Sequence, residues 1–141
     1  MDLQSIISEV KTLARETGRF IAEQRKNFDS SRVESKQSHD YVSYVDKECE
    51  RMIVSRLKEI LPQAGFITEE KTIAQDDGNK ELYWIVDPLD GTTNFIHDLA
   101  PYSVSIALRD SKDLLLGVVY EVTRDELYSA AKGQGAYLND R

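Results

Sequence analysis

Over residues 2–28 the positions Leu3, Ile6, Ile7, Val10, Leu13, Ala14, Thr17, Phe20 and Ile21 keep the i, i+3, i+4, i+7 rhythm of one stripe. That spacing predicts a single amphipathic helix. Asp2 suits its N-cap, and Gly18 lowers helix propensity without interrupting the stripe. Residues 29–40, DSSRVESKQSHD, are polar without periodicity and read as a solvated loop. A second stripe of Cys49, Met52, Ile53, Leu57, Ile60 and Leu61 predicts a helix from about Asp46 to Leu61, stopped by Pro62.

From residue 65 the period shortens. GFIT is a short strand ending at Glu69-Glu70, residues 71–82 (KTIAQDDGNKEL) read as a polar loop, and YWIV (83–86) is a mostly apolar strand. TTNFIHDL reads as a short helix starting at its own Thr/Asn cap. SVSIALRD, LLLGVVYEV, DELYSAA and GAYLN are four further strands, joined by turns at Asp110–Asp113 and Thr123–Asp125. Short connections favour antiparallel pairing. Helices first and a strand meander afterwards predict an α+β fold, with two long N-terminal helices on one face of a mainly antiparallel sheet. After GAYLN the chain runs into Asp140-Arg141 with nothing closing the domain, as in the front part of a longer protein.

Composition narrows the class. The 141 residues are 40% hydrophobic and 30% charged, within the range of a globular domain able to bury a core. No apolar run approaches the ~18 residues of a membrane helix, and the charged N-terminus is unlike a secretory signal. The single cysteine, Cys49, excludes an intramolecular disulfide and suits a cytoplasmic location. On the second stripe it reads as core filler. A net charge of −7 argues against nucleic acid as an electrostatic partner. An anionic ligand would therefore need recruited positive charge.

That need bears on WIVDPLDGTTNF, residues 84–95, where an apolar strand runs into Asp87 and Asp90. Taken singly each acid has a structural explanation, as a turn residue or as a cap for the following helix. Together they are harder to dismiss. Two carboxylates ~4 Å apart repel by roughly 4 kcal/mol at an effective dielectric of about 20, which protonation or a cation must offset. Oxygen donors of this kind suit Mg²⁺. Glu69 can join the same rim if its strand lies beside YWIV, although Glu-Glu before a loop is equally explained by solvation. Gly91-Thr92-Thr93-Asn94 opens a helix whose free N–H groups can seat phosphate. A phosphoryl group bridging acids, ions and helix start gives a hydrolysis in which one ion activates water and another stabilises the leaving oxygen. Asp46 reads either as the N-cap of the second helix or as the acceptor for the Thr92 hydroxyl, letting Thr92 take a proton from the attacking water. His39, in a loop, and His97, at the end of the short helix, are poor ligands for Mg²⁺. Tyr83, Trp84, Phe95 and Tyr102 read as packing residues.

WIVDPLDGTTNF resembles the first signature motif of the inositol monophosphatase family, the lithium-sensitive, Mg²⁺-dependent sugar phosphatases. KQSHDYVSYVDKECE, FITEE and GVVYEVTRDELYSAAKGQGAYLN are similar to further segments of that family, so the likeness covers essentially the whole chain. It implies the first half of the layered α/β/α/β/α sugar-phosphatase fold. It also implies that Glu69, Asp87, the Leu89 carbonyl and Asp90 bind Mg²⁺, with Asp90, Gly91 and Thr92 at the phosphate. Thr92 with Asp46 then positions the nucleophilic water, Glu69 belongs to the catalytic set, and Lys36 is the basic residue above the site. Thr68 stands where many members have glycine, and Ser43 replaces a threonine.

The resemblance further implies a phosphomonoesterase acting on a small sugar or polyol phosphate, inositol 1-phosphate first, in a homodimer. Fructose 1,6-bisphosphate, 3′-phosphoadenosine phosphates, NADP and histidinol phosphate are alternative substrates. A non-catalytic role with transcription or ribosome-maturation factors is the alternative from another class. Members of the family are about twice this length, and their C-terminal half brings a WDxAAG-type segment with another metal-binding Asp. The expectation is therefore an N-terminal metal- and phosphate-binding domain, residues 1–141, that alone binds Mg²⁺ weakly and turns over slowly.

Overall fold

A computed structural model describes residues 1–28, 36–69 and 79–141, except for the side chains of residues 36–38. Of the loops read from sequence at 29–40 and 71–82, residues 29–35 and 71–78 lie outside the described residues.

Helix α1 (Leu3–Asn27) follows its stripe, and the Asp2 carboxylate caps it by accepting from the Gln4 and Ser5 N–H groups at 3.1 and 3.3 Å. Helix α2 (Lys36–Ile60) begins ten residues earlier than the stripe of Cys49 and Met52 predicts. Its first turns are held by Tyr41 and Val42. The Tyr41 ring stacks on Phe28 at 5.3 Å and its hydroxyl donates to Gln24 Oε1 at 2.6 Å. His39 and Asp40 face solvent there, which is why the segment reads as a loop. Asp46 is therefore inside a helix and is not an N-cap.

Among the described residues six strands follow as one sheet in the order β1-β2-β3-β4-β5-β6. They are β1 (Gly65–Thr68), β2 (Tyr83–Asp90), β3 (Ser103–Arg109), β4 (Leu114–Glu121), β5 (Glu126–Ala131) and β6 (Ala136–Leu138), with α3 (Thr92–His97) between β2 and β3. The β1–β2 pair is parallel and the others are antiparallel. Alternation sends Trp84, Val86, Val104, Ile106, Val118 and Leu127 into the core against the two helices. Helix α1 contacts β3, β4 and β5, and α2 contacts β2, so both long helices cover the same face. Cys49 is buried among them, and burial, reinforced by Asp46 and Glu48, pushes its thiol far above the usual range. It is core filler, as its stripe predicts. Among the described residues no helix is long and apolar enough to cross a membrane.

The sheet places the acids differently from the sequence reading in one respect. β2 continues past Val86 through the acids to Asp90, and the register against β3 shifts between Asp87 and Asp90. The ladder accommodates Pro88, which has no N–H to give it, at this irregularity.

Candidate active site

Glu69 directly follows β1, and Asp87 and Asp90 lie in the last four residues of β2. Thr68 is level with Val86 in the parallel register, and one residue on, the Glu69 N–H donates to the Val86 carbonyl at 3.2 Å. Thr68 and Val86 are buried toward the helices. Glu69 follows β1 and Asp87 follows Val86 in β2, so the two residues are backbone neighbours across the parallel pair. Glu69 and Asp90 are exposed and Asp87 is half-buried. In the shifted stretch Pro88 and Leu89 have no ladder partner on β3 among the described residues, which leaves the Leu89 backbone outside the regular pairing. The donors gathered here are all oxygen, a set whose chemistry fits a hard divalent cation. No group of three or more His, Cys, Asp or Glu side chains that could hold a metal is formed among the described residues.

Gly91 turns the chain from β2 into α3. It is the N-cap, with φ 93° and ψ 44°, and among the described residues no side chain caps the helix. Asp90 and the Thr/Asn run are thus not the cap that the sequence suggests. Only glycine fits here, because a Cβ would stand 2.8 Å from the Pro101 carbonyl oxygen in a left-handed backbone. Thr92, the first helical residue, is half-buried. The short helix is held from three sides. Phe95 is fully buried, edge-on to Tyr102 at 5.5 Å and near Phe28 at 6.2 Å. Asn94 Nδ2 donates to the Pro101 carbonyl at 2.9 Å, and Asp98 faces Arg25 Nε at 3.6 Å. Burial, then the Asp98 charge, raise the Tyr102 phenol above its ordinary value.

Asp46 is buried in α2, a helix that touches both β2 and α3. Lys36 opens the same helix, and its side chain lies outside the described residues. Asp87, Leu89, Asp90, Gly91 and Thr92 follow one another from the end of β2 into α3, the Glu69 backbone lies beside Val86, and α2 packs on both β2 and α3, but the acids do not close into one cluster among the described residues. The sequence reading places Asn94 in the helix opening but misses its bond to Pro101, and it misses Glu121, whose carboxylate closes the turn after β4. Glu121 left a faint signal, an acid between Tyr120 and Val122 at the end of an apolar run.

A model of the inositol monophosphatase family matches residues 2–141. The chain belongs to that family. The inositol-1-monophosphatase of Mesorhizobium japonicum is 36% identical over 141 residues, covering 100% of this chain and 53% of that protein. Nus factor SuhB of Escherichia coli K12 is 40% identical over 126 residues, 89% of this chain and 47% of that protein. The chain thus spans about half the length of the curated relatives it matches. Inositol monophosphatase-II of Staphylococcus aureus superimposes with a TM-score of 0.81 at 30% identity over 97% of this chain and 49% of that one. SaIMPase-II with inositol monophosphate bound does so with a TM-score of 0.77 at 29% identity, over 97% and 47%. Helices on one face of a mixed, mainly antiparallel sheet are therefore the α+β fold of this family.

Proposed function

We propose that the protein to which this chain belongs is a Mg²⁺-dependent phosphomonoesterase acting on a small sugar or polyol phosphate, inositol 1-phosphate first. The observation that supports this reading is the parallel β1–β2 pair, in which the Glu69 N–H donates to the carbonyl of Val86, the residue before Asp87. Glu69, Asp87, the Leu89 carbonyl and Asp90 would hold Mg²⁺. When bound, the ion supplies positive charge to the phosphate and lowers the pKa of coordinated water. The free N–H groups at Gly91 and Thr92 orient phosphate oxygens. The Thr92 hydroxyl, with Asp46 as its acceptor, takes the proton of the attacking water, and Lys36 adds a positive charge above the substrate. That SaIMPase-II binds inositol monophosphate supports the substrate class. Inhibition by Li⁺, a cytoplasmic location and a homodimer belong to the same reading. So does the assignment of these residues as the metal- and phosphate-binding domain of a longer chain.

The test is a panel of phosphomonoesters, including fructose 1,6-bisphosphate, 3′-phosphoadenosine phosphate, NADP and histidinol phosphate, assayed on the complete polypeptide with and without Mg²⁺ and Li⁺. Mg²⁺-dependent release of phosphate from inositol 1-phosphate is expected, and its absence across the panel overturns the reading.

A second reading, a non-catalytic partner role in transcription, is favoured by the match to a relative named Nus factor SuhB. An Asp90→Asn variant separates the two: cellular function is lost if the role is enzymatic and retained if it is not.

A further inference from the structure

We infer that Glu121 is a positioning residue for the turn carrying Gly91 and Thr92, acting through the single peptide plane that joins Pro101 to Tyr102. Glu121 ends β4 and is 6% exposed. Its Oε1 accepts from the Tyr102 N–H at 3.2 Å, the Thr123 N–H at 3.3 Å and the Thr123 hydroxyl at 2.6 Å. Its Oε2 accepts from the Arg124 N–H at 2.6 Å. Four donors on one carboxylate lock the corner between β4 and β5 to the start of β3.

The Tyr102 N–H belongs to the same planar unit as the Pro101 carbonyl. That carbonyl accepts from Asn94 Nδ2 at 2.9 Å and lies against Gly91, where a Cβ would meet it at 2.8 Å. One face of the plane is thus held by Glu121 and the other rests on the active-site turn. A plane cannot tilt at one end only. If the Glu121 bond is lost, the Pro101 oxygen moves, and with it the seat of Gly91 and the anchor of Asn94. Thr92 lies between those two. The inference rests on the proposed role of Thr92 for its effect on rate, but not for its effect on structure.

Two readouts on the complete polypeptide separate these layers. The first is amide hydrogen exchange of residues 91–98 without substrate. Glu121→Gln, which removes the charge and one acceptor oxygen, should speed that exchange about tenfold while α1 stays as protected as before. The second is hydrolysis of inositol 1-phosphate with Mg²⁺. There kcat should fall by about ten- to a hundredfold, because displacements near 1 Å are enough for such losses. Glu121→Asp, which keeps both acceptor oxygens, should recover much of it. Asn94→Ala loosens the other end of the same plane, so it should produce the same local exchange. Combined with Glu121→Gln, it should add little to either single loss. Unchanged exchange at 91–98, an increase spread equally over α1, or fully additive losses would each overturn the inference. Should Glu121→Gln fail to fold, Asn94→Ala alone decides: a still-protected 91–98 counts against it. If the unaltered protein hydrolyses nothing, the phosphatase reading fails while the exchange result still judges the role of Glu121.

Discussion

The Glu69 N–H donates to the Val86 carbonyl across the parallel β1–β2 pair, and this one bond sets Glu69 level with Asp87. Neighbouring strands lie about 4.8 Å apart, so the two backbones approach to about that spacing. Glu69 is exposed and its replacement removes a like charge without opening a cavity. Glu69→Gln should therefore leave the melting temperature in metal-free buffer within the effect of about 0.5 kcal/mol usual for surface changes. The rise in melting temperature on adding Mg²⁺, expected in the unaltered protein by linkage, should disappear. Differential scanning fluorimetry with and without Mg²⁺ makes the comparison.

Gly91→Ala meets two penalties at once, a left-handed backbone and a carbonyl oxygen 2.8 Å from the new Cβ. The backbone term is about 1–2 kcal/mol and the crowding a further ~1–3 kcal/mol. Urea unfolding should show a lower midpoint with an unchanged slope.

Gly18 behaves differently, because its backbone is helical and only its neighbour forbids a side chain. The Tyr120 ring lies on it, with Cε2 and Cδ2 in the space a Cβ would need, while the Tyr120 hydroxyl is tied to Asp125 at 2.6 Å. Gly18→Ala should destabilise by about 1–3 kcal/mol, outweighing the ~1 kcal/mol of helix propensity gained. In a Tyr120→Leu background the same substitution should become neutral or favourable, a coupling read from a double-mutant cycle of chemical unfolding.

Glu121 gives the acid limb a specific origin. Burial alone would raise its carboxyl, but the hydrogen bonds from the Thr123 hydroxyl, Arg124 N–H, Thr123 N–H and Tyr102 N–H outweigh it, and the group titrates below its usual value. The unfolded chain then binds the proton more readily than the folded one. The stabilisation is fully present above about pH 4.3, the unfolded value, and is lost as pH falls toward and through the folded one. Stability measured from pH 6 downward should fall less steeply for Glu121→Gln than for the unaltered protein, the difference appearing below about pH 4.3.

Much of this fold is visible in the chain because local signals agree with it. The α1 stripe, its Asp2 cap and the short-looped meander are each decided by periodicity or by a turn. The start of α2 is not, since its first turns show solvent His39 and Asp40 and are held by long-range contact between Tyr41 and Phe28. Pro88 and two acids suggest that β2 ends at Val86, yet a shift of register carries the strand on to Asp90. The reason for Gly18 lies in Tyr120, far along the chain, so locally it reads as a mere weakness in a helix. The acids and the Gly-Thr-Thr run are legible because a compact motif holds them. Glu121 reaches its partner Tyr102 from 19 residues away, and nothing local marks that bond.

The claim on which the rest turns is that side chains at the rim of β1 and β2 hold a divalent cation. Calorimetric titration of Mg²⁺ into the complete polypeptide and into its Asp90→Asn variant tests it most directly. Saturable binding by the first and its loss in the second is the result expected. Equal binding by both, or none by either, would contradict it.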